Sequence, residues 1–154
     1  MGESAGGRGA CLVVRVQNRV CALPLAYVIE TMRQLPIELL AGVPPFVRGV
    51  SIIRGIATPV VDLAVALGST PCSGERFVTV RAGRQVALSV DAVLGVREIE
   101  LSTMSAVPPL LEGTSNELIE TIGTLDGGFL SVLRSGWELP DEVWQALTAE
   151  EVAL

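Results

Sequence analysis

The sequence contains no histidine and no lysine, and all eleven basic residues are arginine. Without histidine the most common general base and metal ligand are missing, so Ser89 and Asp91 cannot complete a Ser–His–Asp triad. The glycines form neither GxGxxG nor GxxxxGK, which removes the usual phosphate cradles. Aromatic residues are only 4% of the chain, so a recognition surface would have to be built from Val, Ile and Leu. Cys11, Cys21 and Cys72 share no CxxC spacing and read as buried thiols in a reducing compartment. A formal net charge of -6 argues against nucleic acid as a partner. No stretch approaches the roughly 18 uninterrupted apolar residues of a membrane span, and residues 1–10 lack the apolar run of a targeting signal. A cytoplasmic protein is expected, with no membrane insertion, cofactor, metal site or enzymatic activity.

What is present is apolar and largely β. Hydrophobic residues are 49% of 154, and a chain of this length buries roughly 68–70% of the surface it exposes when unfolded. Leu12–Val16 and Val20–Leu25 flank Gln17-Asn18-Arg19, and Phe77–Arg81 and Gln85–Val90 flank Ala82-Gly83-Arg84. Each reads as a hairpin. Laid over one another without a gap, residues 12–32 and 77–97 match Val13 with Val78, Arg19 with Arg84, Ala22 with Ala87, Leu23 with Leu88 and Val28 with Val93. Each half then continues to a second hairpin. One turns at Arg54-Gly55, between Val50–Ile53 and Ile56–Val61; the other turns at Asp126-Gly127-Gly128, between Glu120–Leu125 and Phe129–Leu133. Two similar β lobes in one chain follow.

The connections fit this organisation. Pro36, Pro44 and Pro45 exclude a central strand or long helix over residues 35–46. Asp62 is placed to cap a short helix over Leu63–Leu67 that stops at Gly68, and Ser69–Glu75 reads as a polar loop between lobes. Ser102–Asn116 is a second long loop holding Pro108-Pro109. Trp137–Leu147 reads as one proper helix, with Pro140 in its first turn. Asp62 and Asp91 follow apolar strands in similar places; capping and turn formation account for them better than a catalytic carboxylate pair. Glu98 and Glu100 bracket Ile99 as outward strand positions. Arg54 has two readings, a solvated turn residue or one edge of a recognition surface.

The segment from Pro45-Phe46-Val47-Arg48-Gly49-Val50 through Ile53-Arg54-Gly55 to Pro59-Val60-Val61-Asp62-Leu63 resembles the CheW-like chemotaxis coupling proteins. Their signature is F-[IV]-[KR]-G-V-x-N-L-R-G followed by P-[IV]-[IV]-D-L. The likeness extends to Val28-x-Glu30, to Gly83-Arg84-Gln85-Val86, to Val90-Asp91-x-Val93 and to Gly95-Val96, over residues 10 to 147. The resemblance implies an all-β fold with one C-terminal helix, built as two small five-stranded SH3-like β-barrel lobes packed together. Residues 11–148 would form that single domain, between an N-terminal tail (1–10) and a C-terminal tail (149–154). It further implies an adaptor, without catalysis, joining the cytoplasmic tip of a methyl-accepting chemoreceptor to the regulatory domain of a CheA-type histidine kinase. By position it assigns Arg54, paired with Glu30, to the receptor side, with Val50 and Ile53 in the wall of the groove between lobes. Val28, Thr31, Arg48 and Gly49 fall on the kinase side. The sequence departs from the pattern at Ile52, where the family has Asn, at Thr31, and in the apolar Leu35–Val43 loop. A paralogue that binds a receptor but not the kinase is the alternative.

Overall fold

Strands that are apolar at consecutive positions need cover on both faces, and the chain supplies it by packing two sheets against each other and filling the outer concavity of each. The computed structural model describes residues 8–100, 105–106, 118–135 and 137–153. One sheet runs in the order β8 (Ala92–Glu100), β1 (Arg8–Val16), β2 (Arg19–Pro24), β11 (Gly128–Leu133), β10 (Ile119–Leu125) and the two-residue β9 (Ser105–Ala106). The other has five strands, β3 (Val28–Arg33), β6 (Arg76–Ala82), β7 (Arg84–Val90), β5 (Ile56–Asp62) and β4 (Val47–Ile53). These are two SH3-like lobes, called the first and second below. Among the described residues neither sheet closes through a strand ladder.

The largest apolar cluster lies between the lobes, taking Leu12, Val14 and Leu23 from one sheet and Val78, Val80 and Leu88 from the other. The alternate residues of the same strands face away from it. Cys11 and Ala22 join Leu130 and Val132 inside the first lobe, while Phe77 and Ala87 join Ile53 and Val60 inside the second. Each fully buried Val, Leu, Ile or Phe among them contributes about 1.5–3 kcal/mol.

The internal repeat is present, with one correction. Ala22 pairs with Val13, and its equivalent Ala87 pairs with Thr79, so Val13 corresponds to Thr79 and not to Val78. The cause is turn length: two residues separate the paired Val16 and Arg19, but only Gly83 separates Ala82 and Arg84. The lobes are also interleaved, not consecutive. Each repeat gives its third strand to the other lobe, β3 pairing with β6 and β8 with β1, and both junctions carry a bulge at the same place, Val28/Glu30 and Val93/Gly95. Residues 69–75 therefore connect elements of one lobe. The lobe crossings lie at the 3-10 turn Leu25–Tyr27 and at Asp91.

Asp62 caps α1 (Leu63–Ala66) as expected, accepting from the Val65 amide at 3.2 Å. The C-terminal helix α2 spans Asp141–Ala153, starting after Pro140 and running six residues past Leu147 into the segment expected to be a tail. β1 likewise begins at Arg8, inside the expected N-terminal tail. Pro108-Pro109 lies outside the described residues. Among the described residues no helix is long and apolar enough to cross a membrane.

Candidate functional site

The β4–β5 hairpin turns on two residues in the left-handed region, Arg54 at φ 51° and Gly55 at φ 78°, a type I′ geometry that matches the twist of its strands. Glycine adopts this conformation freely; arginine does so only against its preference. The tip thus holds Arg54 away from the sheet, with its side chain 75% exposed. Opposite it stands Glu30, at the far edge of the same sheet. The β3 bulge aims Glu30 outward and is fastened by the buried Thr79, whose hydroxyl accepts from the Glu30 amide (3.2 Å) and donates to the Glu30 carbonyl (3.3 Å). The Arg54 guanidinium closes a two-pronged bond, Nε to Oε2 at 2.7 Å and Nη2 to Oε1 at 2.8 Å. This hydrogen bond holds the Glu30 carboxyl below its usual range and raises Arg54 in turn. An ion pair in this setting fixes geometry more than it stabilises. Exposed isoleucines lie next to both residues along the chain: Ile52 is 66% exposed, Ile56 51% and Ile29 39%.

Apart from Thr31, the other residues assigned from sequence are less accessible. Val50 and Ile53 are buried rather than lining an open wall. Ile53 points into the second lobe with Val60 and Phe77, and Val50 is covered by Leu40 and by Leu147 of α2. On the second set, Val28 packs at the margin of the inter-lobe cluster and Thr31 lies exposed on the β3 edge. Arg48 turns inward, donating from Nη1 to the buried Ser89 hydroxyl at 2.8 Å, beneath Gly74. Gly49 has φ 149°, and a Cβ there would overlap the Glu38 carbonyl and come within 2.8 Å of Ile37 Cγ2. Its place is set by the bridge between Glu38 and Val50, whose amides and carbonyls bond reciprocally at 2.8 Å.

Asp62 and Asp91 form no catalytic pair. Asp62 divides its carboxylate between the Val65 and Cys72 amides. Asp91 accepts from the amides of Gln17 (2.6 Å), Ser73 (2.9 Å) and Gly74 (3.3 Å) and from the Ser73 hydroxyl (2.5 Å). Burial raises its carboxyl pKa, but these donors outweigh burial and hold it below the usual value. Gln17 extends the clasp, its side chain bonding Ser69, Thr70 and Pro71. Sequence reading overlooked Thr79 and Gln17, whose only advance signal was a polar residue within or beside an apolar strand. All three cysteines are free and buried; burial pushes Cys21 to about 12 and Cys72 to about 11.

The family model for the CheW-like domain matches residues 10–136. Protein PilI of Pseudomonas aeruginosa is 30% identical over 112 residues, which are 70% of this chain and 63% of that protein. The chain thus spans less than two thirds of that relative's length. The crystal structure of the scaffolding protein TtCheW from Thermoanaerobacter tengcongensis superposes with a TM-score of 0.72 at 23% identity, covering 82% of this chain and 88% of that one.

Proposed function

The chain belongs to the CheW-like domain family, and we propose that it is a cytoplasmic scaffold that couples a methyl-accepting chemoreceptor to a CheA-type histidine kinase, without catalysing a reaction itself. The observation that carries this reading is the Arg54–Glu30 tip, a two-pronged charged fork held on an I′ turn, with exposed isoleucines near both residues in the chain. Apolar contact at Ile52, Ile56 and Ile29 would supply affinity, while the fork supplies orientation and on-rate. The acidic chain engages protein surfaces, with no role for nucleic acid or membrane insertion.

The test is a reconstituted mixture of receptor fragment, kinase and this protein, read as receptor-dependent kinase autophosphorylation. Arg54→Glu places two carboxylates face to face and should reduce that activation at least tenfold, with a melting temperature that stays put. A large fall in melting temperature would make Arg54 a structural residue instead. The receptor-only alternative draws support from one finding: Arg48 and Gly49, assigned to the kinase side, are engaged in internal packing. Binding to receptor tips without affinity for the kinase regulatory domain would decide for that alternative.

A further inference from the structure

The outer face of the β4–β5 hairpin carries one apolar strip that is half covered. Val50 pairs with Pro59 and Ile52 with Ala57, which puts these four side chains on the same face. The inner end lies under α2, where Leu147 and Trp144 pack with Val50, Ala57, Leu40 and Val43. The outer end is bare at Ile52. A single surface therefore begins beneath the helix and runs past it toward the hairpin tip.

The helix over that strip is unevenly fastened. Its N-terminal end is secured: Val143 is fully buried beside Leu139 in the inter-lobe cluster, the Val143 amide bonds the Pro140 carbonyl at 3.0 Å, and Asp141 and Glu142 suit the positive end of the helix dipole. The C-terminal end has less. Among the described side chains after Trp144, only Leu147 is buried. Thr148 bonds back to the Trp144 carbonyl at 3.0 Å, a contact that competes with the helix ladder. The last turn has no basic residue to meet the negative end of the dipole. Trp144 is held at the middle by the Arg84 guanidinium, 4.3 Å from its ring centroid.

We propose that the C-terminal half of α2 is a displaceable cover, lifting about Leu139 and Val143 while the sheets stay folded, and that the strip beneath accepts an amphipathic helix in its place. The occupant is a helix because the surface is already shaped to one. It would present bulky apolar side chains three positions apart, as Trp144 and Leu147 do, and a carboxylate or aromatic ring for the vacated Arg84. This holds whichever partner the Arg54 tip meets, and its test does not involve receptor or kinase.

Native-state hydrogen exchange on the full chain, in rising sub-denaturing urea, tests the cover. The α2 amides should exchange at least tenfold faster than those of β6 and β7, through an opening with little urea dependence. Trp144→Ala should speed the α2 opening at least fivefold and leave β6 and β7 unchanged. A labelled synthetic peptide of residues 137–154 is the probe for the strip, and its affinity for the Trp144→Ala protein should rise with the opened fraction. Thr148→Ala, an exposed change that favours helix, should slow opening about threefold and weaken peptide binding. The proposal is overturned if α2 exchanges only with the urea dependence of global unfolding, if Trp144→Ala speeds exchange uniformly, or if the peptide binds neither protein.

Discussion

Arg54 and Asp126 occupy the same place in the two lobes, at the tips of equivalent hairpins. Both stand in the left-handed region, at φ 51° and 52°, each followed by a glycine. Both tips reach across to the opposite edge of their own sheet: Arg54 to Glu30 on β3, and Asp126 to Arg97 on β8 with a closest approach of 3.2 Å. The repeat has kept the latch and reversed its charge. Aspartate tolerates this backbone because its short side chain can bond locally; arginine has no such compensation. The first lobe therefore uses a residue suited to the turn, whereas the second keeps one placed against preference. Non-glycine strain of this kind persists where surroundings or function require it. The tips separate what the fold asks for from what the second lobe adds.

The bulges next to these hairpins differ more sharply, and a substitution there should have the largest effect. Gly49 and Thr121 are equivalent, each set where the hairpin register shifts. Thr121 carries a side chain; Gly49 has no room for one, because residues 37–38 cross directly over it. Gly49→Ala should cost about 3 kcal/mol or more, lowering the melting temperature by about 6–12 °C in a chain of this size. Thr121→Ala, measured in the same scan, should change it by a small fraction of that. Equal losses at both positions would mean that the Glu38–Val50 crossing does not constrain the second lobe.

The two crossings between lobes differ in chemistry. One is the turn holding Tyr27, which is 6% exposed and apolar in its packing; the other is Asp91 with its four donors. Asp91→Asn should cost about 2 kcal/mol at pH 7, since hydrogen bonds to a charged group are the stronger kind. The native carboxyl pKa is depressed, so its contribution is complete above the unfolded value near 3.9 and is lost as pH falls through the native one. Urea melts at pH 7 and pH 3 should therefore show a gap between wild type and Asp91→Asn that narrows in acid. Tyr27→Phe should show no such pH dependence below neutrality.

These contrasts also explain what could be read in advance. The four hairpins were legible because each has Val- and Leu-rich runs around a short loop holding Asn or Gly, as at Gly55 and Gly127. The Asp62 cap was legible because capping is local. The exchange of β3 and β8 between lobes was not, since pairing across about fifty residues for β3 and about eighty for β8 leaves no local trace and rests on the inter-lobe core. The same limit applied to the candidate site. Its charged fork followed from the resemblance, but the burial of Val50 depends on Leu147, almost a hundred positions away, and the inward turn of Arg48 depends on Ser89.

The smallest expected change in stability falls on the tip itself and bears most directly on the comparison. Arg54→Asn gives the second lobe a residue that accepts the left-handed turn, as Asp126 does in the first. If Arg54 serves the fold, losing its bonds to Glu30 should lower the melting temperature. If it serves recognition, relief of the turn should outweigh an exposed ion pair, and the melting temperature should rise by about 2 °C. In the reconstituted mixture the same protein should lose receptor-dependent kinase activation, because asparagine cannot reproduce the charged fork. Asp126→Asn makes the matched change in the first lobe and should leave melting and activation close to wild type. A more stable, less active Arg54→Asn beside a neutral Asp126→Asn would show that the second tip departs from its preferred turn residue for the sake of a partner.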